Sequence, residues 1–188
     1  MKPGIPIVIS APSGAGKTTI VNLILKRIKG LKYSISTTTR PPSKNEKNGR
    51  DYYFLSKKEF LNKRKARKFI ETAIVHGYYY GTLKEKLDNN LKKGKDVVLN
   101  IDVKGALNVK KIYPESLLIF VIPPSMKVLE DRLRKRHRDS EQEIKKRLKN
   151  AKMEMEYRKY YDYIVVNDSL EKAFNEIKNI IKERMTND

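Results

Sequence analysis

The chain alternates short continuous apolar runs with stretches whose apolar residues recur every three or four positions. The runs "IPIVISA", "DVVLNI", "SLLIFVI" and "YIVVN" are continuous rather than alternating, the pattern of strands buried on both faces. Helical spacing follows each of them. A first helix is predicted from Lys17 to about Ile28, closed by Gly30, and another over "KGALNVKKI". Ser125 caps a basic helix, and Ser140 with Glu143 caps a long one through "IKKRLKNAKMEMEY". The last helix, "LEKAFNEIKNIIKER", places apolar residues at 170, 173, 174, 177, 180 and 181 on one face. Buried strands alternating with helices predict an α/β fold with a mainly parallel sheet and right-handed crossovers.

Residues 33–81 break this rhythm. "YSIST" and "DYYFL" read as short strands on either side of the polar loop "RPPSKNEKNGR". Ser56 with Glu59 forms a capping box for a short helix, and "KFIETAIV" reads as another strand. Thr82 with Glu85 reads as a further capping box, opening a helix that stops at Gly94. This stretch has the look of a subdomain inserted into one α/β domain. No internal repeat or low-complexity linker divides the chain.

Composition narrows the class. With 188 residues, 39% hydrophobic and 34% charged, the chain can bury a core and is too apolar to be disordered. Lys and Arg number 42 against 22 Asp and Glu, a formal net charge of +20. That field attracts anions without choosing among nucleotides, nucleic acid and acidic lipid. The lysines are spread along the whole length, as on a solvated surface. Cysteine is absent, which excludes disulfides and thiolate metal sites and permits a reducing compartment. The apolar runs are too short to span a bilayer, and the N-terminal stretch lacks a signal-peptide cleavage region. A cytoplasmic protein with no membrane partner is the expectation.

The chemistry starts at "APSGAGKT". It matches the phosphate-loop pattern G-x-x-x-x-G-K-[ST] except that Ala11 stands at the first glycine, and it lies between a strand and a helix. Residues Ala11, Pro12, Ser13, Gly14, Ala15, Gly16, Lys17, Thr18 and Thr19 are therefore expected to bind a nucleoside triphosphate. The backbone N–H groups of Gly14 to Thr18 and the helix N-terminus face the phosphates. Lys17 supplies a mobile charge, and Thr18 is the candidate Mg²⁺ ligand. A methyl group at Ala11 is tolerable where φ is negative. No Asn/Thr-Lys-x-Asp guanine signature of GTPases is present.

The second ligand is read from "SISTTTRPP", "GRDYYF", "FIETAIVHGYYYGT" and "LNIDVKG". They bring one cation, Arg40, the phenols of Tyr52 and Tyr80, the Thr82 hydroxyl, and two carboxylates, Glu71 and Asp102. A cation and phenols suit a phosphate. The carboxylates would repel one, and suit donors such as the N1–H and N2–H₂ edge of guanine. With "STTTRPP", "HGYYYGT" and "IDVKGA" in hand, the chain resembles the guanylate kinases from about Ile5 to Glu183. The resemblance implies a P-loop core, a GMP-binding subdomain and a helical lid. Their bounds would be about 1–32, 82–124 and 159–188 for the core, 33–81 for the subdomain and 125–158 for the lid. It implies ATP and GMP or dGMP as substrates, Mg²⁺ as cofactor, no specific nucleic-acid partner, and a monomer or homodimer. Carried over by motif, Arg40, Tyr52 and Tyr80 would hold the GMP phosphate, and Ser36, Glu71, Thr82 and Asp102 would read the guanine. Gly81 would sit against the same ligand. Arg132, Arg136 and Arg147 would be lid arginines acting with Lys17 and Arg40 in catalysis, and Asn167 would lie near the adenine.

The chain departs from that pattern at two places of consequence. Ser43 stands where a second phosphate-binding arginine is usual, and Asn100 where an acidic residue is usual. Lys104 replaces a common glutamine, which nothing explains. Two other classes compete: a kinase-like binding module without catalysis, and a nucleic-acid-binding ATPase drawing on the positive charge. The intact Lys17, Thr18 and lid arginines favour the enzyme over the first, and no nucleic-acid motif accompanies the charge.

Overall fold

The computed structural model describes residues 2–135 and 139–186. In chain order the elements are β1 (Pro6–Ser10), α1 (Lys17–Arg27), β2 (Lys32–Tyr33), β3 (Thr37–Thr38), β4 (Tyr53–Phe54) and α2 (Lys57–Lys65). Next come β5 (Phe69–Val75), β6 (Tyr78–Leu83), α3 (Lys84–Leu91), β7 (Val97–Asn100), α4 (Val103–Ile112) and β8 (Leu117–Ile122). The chain continues through α5 (Met126–Arg134), α6 (Glu141–Met155), a 3-10 turn (Glu156–Tyr160), β9 (Tyr163–Val166) and α7 (Leu170–Thr186). Among the described residues, no helix is long and apolar enough to cross a membrane.

The chain forms two compact units. One takes Ile7–Lys29, Asn100–Val103 and the chain from Leu117 onward. In it β1, β8 and β9 run parallel, with Ile7 opposite Leu117 and Ile119 opposite Tyr163. β1 is buried along its whole length, as its continuous apolar run requires. α1 buries Ile20, Val21 and Ile24, and α7 buries Ala173, Phe174, Ile177, Ile180 and Ile181. Leu129 and Leu133 of α5 form a separate small core with Ile144 and Ala151 of α6. β9 departs from expectation. Its sequence reads as buried, yet Tyr163, Ile164 and Val166 are exposed and only Val165 is buried. β9 is the last strand of its sheet, so its β-branched residues answer to strand geometry more than to burial.

The other unit takes the residues up to Pro6, Gly30–Leu99 and Lys104–Ser116. Its four-stranded sheet has the order β4-β3-β6-β5, with β3 parallel to β4 and antiparallel to β6. β2 pairs in parallel with β7, Lys32 opposite Val97. α2 opens at the predicted Ser56–Glu59 capping box, and its one buried side chain, Phe60, stacks on Phe69 at 4.4 Å between ring centroids. Tyr79 of β6 meets the Phe60 ring at 5.4 Å. The Ser140–Glu143 box and the Ser125 cap also form.

The Thr82–Glu85 box does not form. Thr82 lies inside β6, Leu83 occupies the N-cap of α3, and no side chain caps that helix. The Thr82 hydroxyl instead donates to Glu71 Oε1 at 2.7 Å across the β5–β6 pair. A half-buried carboxylate on the neighbouring strand outcompetes the local N–H groups, which the sequence spacing alone cannot show.

Phe60 is the apolar anchor of a helix otherwise built from charges. Replacing it with alanine is expected to lower unfolding stability by ~3–5 kcal/mol. Urea unfolding monitored by circular dichroism would measure this, and a loss under ~1 kcal/mol would contradict the packing role.

Candidate functional site

Between β1 and α1 the backbone must reverse within a few residues and aim its N–H groups outward. Gly14 (φ 95°) and Gly16 (φ 94°) take the left-handed conformation this needs. Both positions are also closed by packing. A Cβ on Gly14 would lie 2.8 Å from Leu133 Cδ2, and one on Gly16 2.5 Å from Asn167 Nδ2. Close approach of protein therefore explains these glycines as well as close approach of phosphate. Ala11 is buried and does not have a positive φ, so its methyl is accommodated as expected.

The loop borders a cavity of about 370 Å³ lined by Ala11, Pro12, Ser13, Gly14, Gly16, Lys17, Thr18, Thr19, Asp102 and Glu154. Lys17 Nζ donates to the Ile101 carbonyl at 3.0 Å. The Ser10 hydroxyl donates to the same carbonyl, also at 3.0 Å. Ala15 is fully buried and takes part through its backbone. Its carbonyl accepts from Asn167 Nδ2 at 2.8 Å, so the Asn167 amide is committed to the loop. Burial pushes the Glu154 carboxyl up from its ordinary range, with Asp102 adding to the rise while the Ser13 N–H and Lys17 oppose it. Burial likewise raises the Tyr161 phenol behind it.

The arginines assigned to a lid are held by neighbours in this structure. Arg132 Nη2 donates to the Asn167 carbonyl at 2.8 Å, and Arg147 pairs with Asp139 at 3.2 Å. Arg136 lies outside the described residues.

In the other unit, Arg40, Tyr52 and Tyr80 come together. The Arg40 guanidinium lies over the Tyr52 ring, 5.4 Å from its centroid, and the Tyr52 and Tyr80 rings meet edge to face at 6.0 Å. Arg40 Nη2 donates to both carboxylate oxygens of Glu46 at 2.7 and 2.9 Å, and Nη1 donates to Ser43 Oγ at 3.1 Å. The Ser43 N–H closes the ring by donating to Glu46 Oε2 at 2.7 Å. Glu46 holds Arg40 charged well beyond any working pH, and Arg40, with the Ser43 N–H, holds Glu46 below the ordinary carboxylate range. Glu71 and Thr82 stand opposite each other on β5 and β6, next to a bulge between Phe69 and Glu71 that re-aims the strand. Tyr80 and Thr82 are two residues apart and so share a face. Gly81 between them is buried, and a Cβ there would lie 2.9 Å from the Glu71 carbonyl oxygen. Ser36 contributes a carbonyl to the Tyr53 N–H.

A sequence model of guanylate kinase matches residues 4–184. The chain belongs to the guanylate kinase family. It is 48% identical to the guanylate kinase of Caldanaerobacter subterraneus subsp. tengcongensis over 96% of this chain and 87% of that protein. It is 45% identical to that of Thermotoga maritima, over 93% and 84% respectively. The crystal structure of guanylate kinase from Anaplasma phagocytophilum superimposes with a TM-score of 0.75 at 34% identity, covering 97% of this chain and 87% of that one.

Guanylate kinase motifs pointed to the loop and to Arg40, Tyr52, Glu71, Tyr80 and Thr82, but not to Glu46 or Glu154. Both carry a signal in hindsight. Glu46 lies within the arginine-bearing loop, and Glu154 follows Ala151 by three residues on one helix face. In a chain with 64 charged side chains neither stands out (42 basic and 22 acidic).

The Glu46 tie persists above the ordinary carboxylate range and is lost only as pH falls through the depressed value. Carboxyl-detected NMR should therefore find Glu46 titrating below exposed glutamates of the same chain. In Arg40→Ala its midpoint should move up towards theirs; an unmoved midpoint would contradict the bridge.

Proposed function

We propose that this chain transfers the γ-phosphoryl group of ATP to GMP, and less readily to dGMP, giving ADP and GDP. The observation that supports this most is the arrangement within one sheet unit. An anion-binding group, Arg40 with Tyr52 and Tyr80, accompanies a carboxylate, Glu71, held by Thr82. GMP presents the matching pair of a phosphate and a base edge with two donors, whereas adenine lacks those donors.

In this reading Arg40, Tyr52 and Tyr80 take the GMP phosphate. Ser36, Glu71, Thr82 and Asp102 read the guanine, with Gly81 leaving room beside them. Residues of about 33–81 act as the GMP-binding subdomain and 125–158 as the lid. The N–H groups of Gly14 to Thr18 and the Lys17 ammonium bind the β- and γ-phosphates. Arg132, Arg136 and Arg147 neutralise charge on the group in flight, with Arg132 and Arg147 leaving their present partners to do so. A GMP phosphate oxygen attacks the γ-phosphorus, and the bond to the β–γ bridging oxygen breaks, releasing ADP. The attacking oxygen is already anionic, so no general base is needed, and the scarcity of histidine is no obstacle. The Thr18 hydroxyl lines the loop cavity and is the hard oxygen donor on this chain that would hold Mg²⁺. When bound, that ion neutralises charge on the phosphate oxygens. Asn100 in place of an acid removes one charge from this neighbourhood. A cytoplasmic setting fits a chain without cysteine.

Purified protein assayed with ATP, Mg²⁺ and each of GMP, dGMP, AMP and UMP should turn over GMP best and dGMP less well. Preference for AMP, or no ADP with any acceptor, would overturn the reading. Glu71→Gln should lower kcat/KM for GMP by ~10²-fold and narrow the margin over AMP, because the base donors lose a charged acceptor.

Ser43 gives a separate test. A second arginine there would add a bidentate phosphate ligand that Lys44 cannot imitate. Ser43→Arg is expected to lower KM for GMP severalfold with KM for ATP unchanged, and an unchanged KM for GMP would refute the assignment.

A further inference from the structure

The phosphate loop has few hydrogen bonds of its own. The Ala15 N–H donates to the Pro12 carbonyl at 3.0 Å, which closes one tight turn. The rest of its geometry comes from groups far away in sequence. Asn167 holds the Ala15 carbonyl, and Leu129 and Leu133 of α5 pack against Gly14. A third tie comes from α6, where Glu154 Oε2 accepts the Ser13 N–H at 3.2 Å.

That tie is unexpected on electrostatic grounds. The loop, with Lys17 and the N-terminus of α1, attracts anions, and a fixed carboxylate in the same cavity works against an incoming phosphate. Its half-burial and the neighbouring Asp102 add to the cost of its charge. Such a placement is tolerated when the group supplies something a solvent-facing residue could not. Here it supplies an acceptor for a backbone N–H at the outer turn of the loop. The helix is placed for the task. Ala151, fully buried in the α5–α6 core, lies one turn before Glu154 on the same face. Its small side chain lets α6 approach closely, and a side chain of glutamate length reaches the loop.

We propose that Glu154 is a positioning residue of the phosphate loop. From α6 it holds the Ser13 N–H, and through it the outer turn, so that the N–H groups from Gly14 onward face the nucleotide phosphates together. The role needs an acceptor at the end of a side chain of this length, whether charged or neutral. It concerns the triphosphate end of the reaction; of the residues assigned to GMP only Asp102 shares the cavity with Glu154. The inference rests on the loop being the ATP phosphate site.

The test is equilibrium binding of ADP and, separately, of GMP by calorimetry, with KM for ATP and kcat measured beside them. Wild-type protein sets the reference; if it fails to bind ADP, the reading of the loop falls and this inference with it. Glu154→Ala is expected to raise the dissociation constant for ADP about tenfold, the effect of losing one hydrogen bond to a charged group. GMP binding should stay within about threefold, since the other residues assigned to GMP share no partner with Glu154. Glu154→Asp, one methylene shorter, should behave like the alanine variant and replaces it if that variant does not fold. Glu154→Gln should restore ADP binding to within about threefold of wild type, since its amide oxygen accepts the same N–H. The inference is overturned if Glu154→Ala, or Glu154→Asp in its place, binds ADP as wild type does. It is overturned equally if ADP and GMP binding weaken together, the mark of general damage, or if Glu154→Gln is as impaired as Glu154→Ala.

Discussion

A backbone loop can receive an anion only while its own polar groups are kept from turning inward or toward water. The loop after β1 meets this constraint with borrowed partners. Asn167 takes a carbonyl, Glu154 takes an N–H, and the leucines of α5 fill the space where a side chain on Gly14 would go. The small core of Leu129, Leu133, Ile144 and Ala151 then matters beyond its own stability. It fixes the helices from which two of these supports reach the loop. The glycines are best understood the same way. Their freedom of φ makes the turn possible, and the protein packed against them makes any replacement costly.

The acceptor end follows a different logic. There the groups are brought together by strand register rather than by a single loop. Thr82 faces Glu71 because β6 pairs with β5 in one register, and Tyr80 shares its face two residues away. The bulge beside Glu71 and the closed environment of Gly81 tune that register locally. A sheet suits the base-reading role proposed for Glu71 and Thr82, since residues on paired strands are held in fixed register.

What the chain revealed in advance divides along the same line. The capping boxes at Ser56 and Ser140 were legible because every group involved lies within four residues. The loop was legible because strand, glycines, lysine and threonine are contiguous. Thr82 carried the same local signal as the true boxes and was misread, because its partner sits eleven residues upstream on another strand. The exposure of β9 was misread for a related reason. Nothing in "YIVVN" says whether another strand lies beyond it. The ties of Glu46 to Arg40 and of Glu154 to Ser13 were invisible, since a carboxylate becomes unusual only when its neighbours are known.

The bridge between Arg40 and Glu46 has a consequence for discrimination. A chain with a net charge of +20 risks filling its basic pockets with whatever small anion is abundant. Glu46 acts as a resident competitor on the Arg40 fork, present at the high effective concentration of a tethered group. A bare phosphate must displace or share with it and brings no second contact in return. In the proposed reading, a ligand that also carries a base for Glu71 gains elsewhere what it loses at the fork. On that reading the bridge would work as a threshold, favouring ligands that engage both Arg40 and Glu71 over those that merely carry charge.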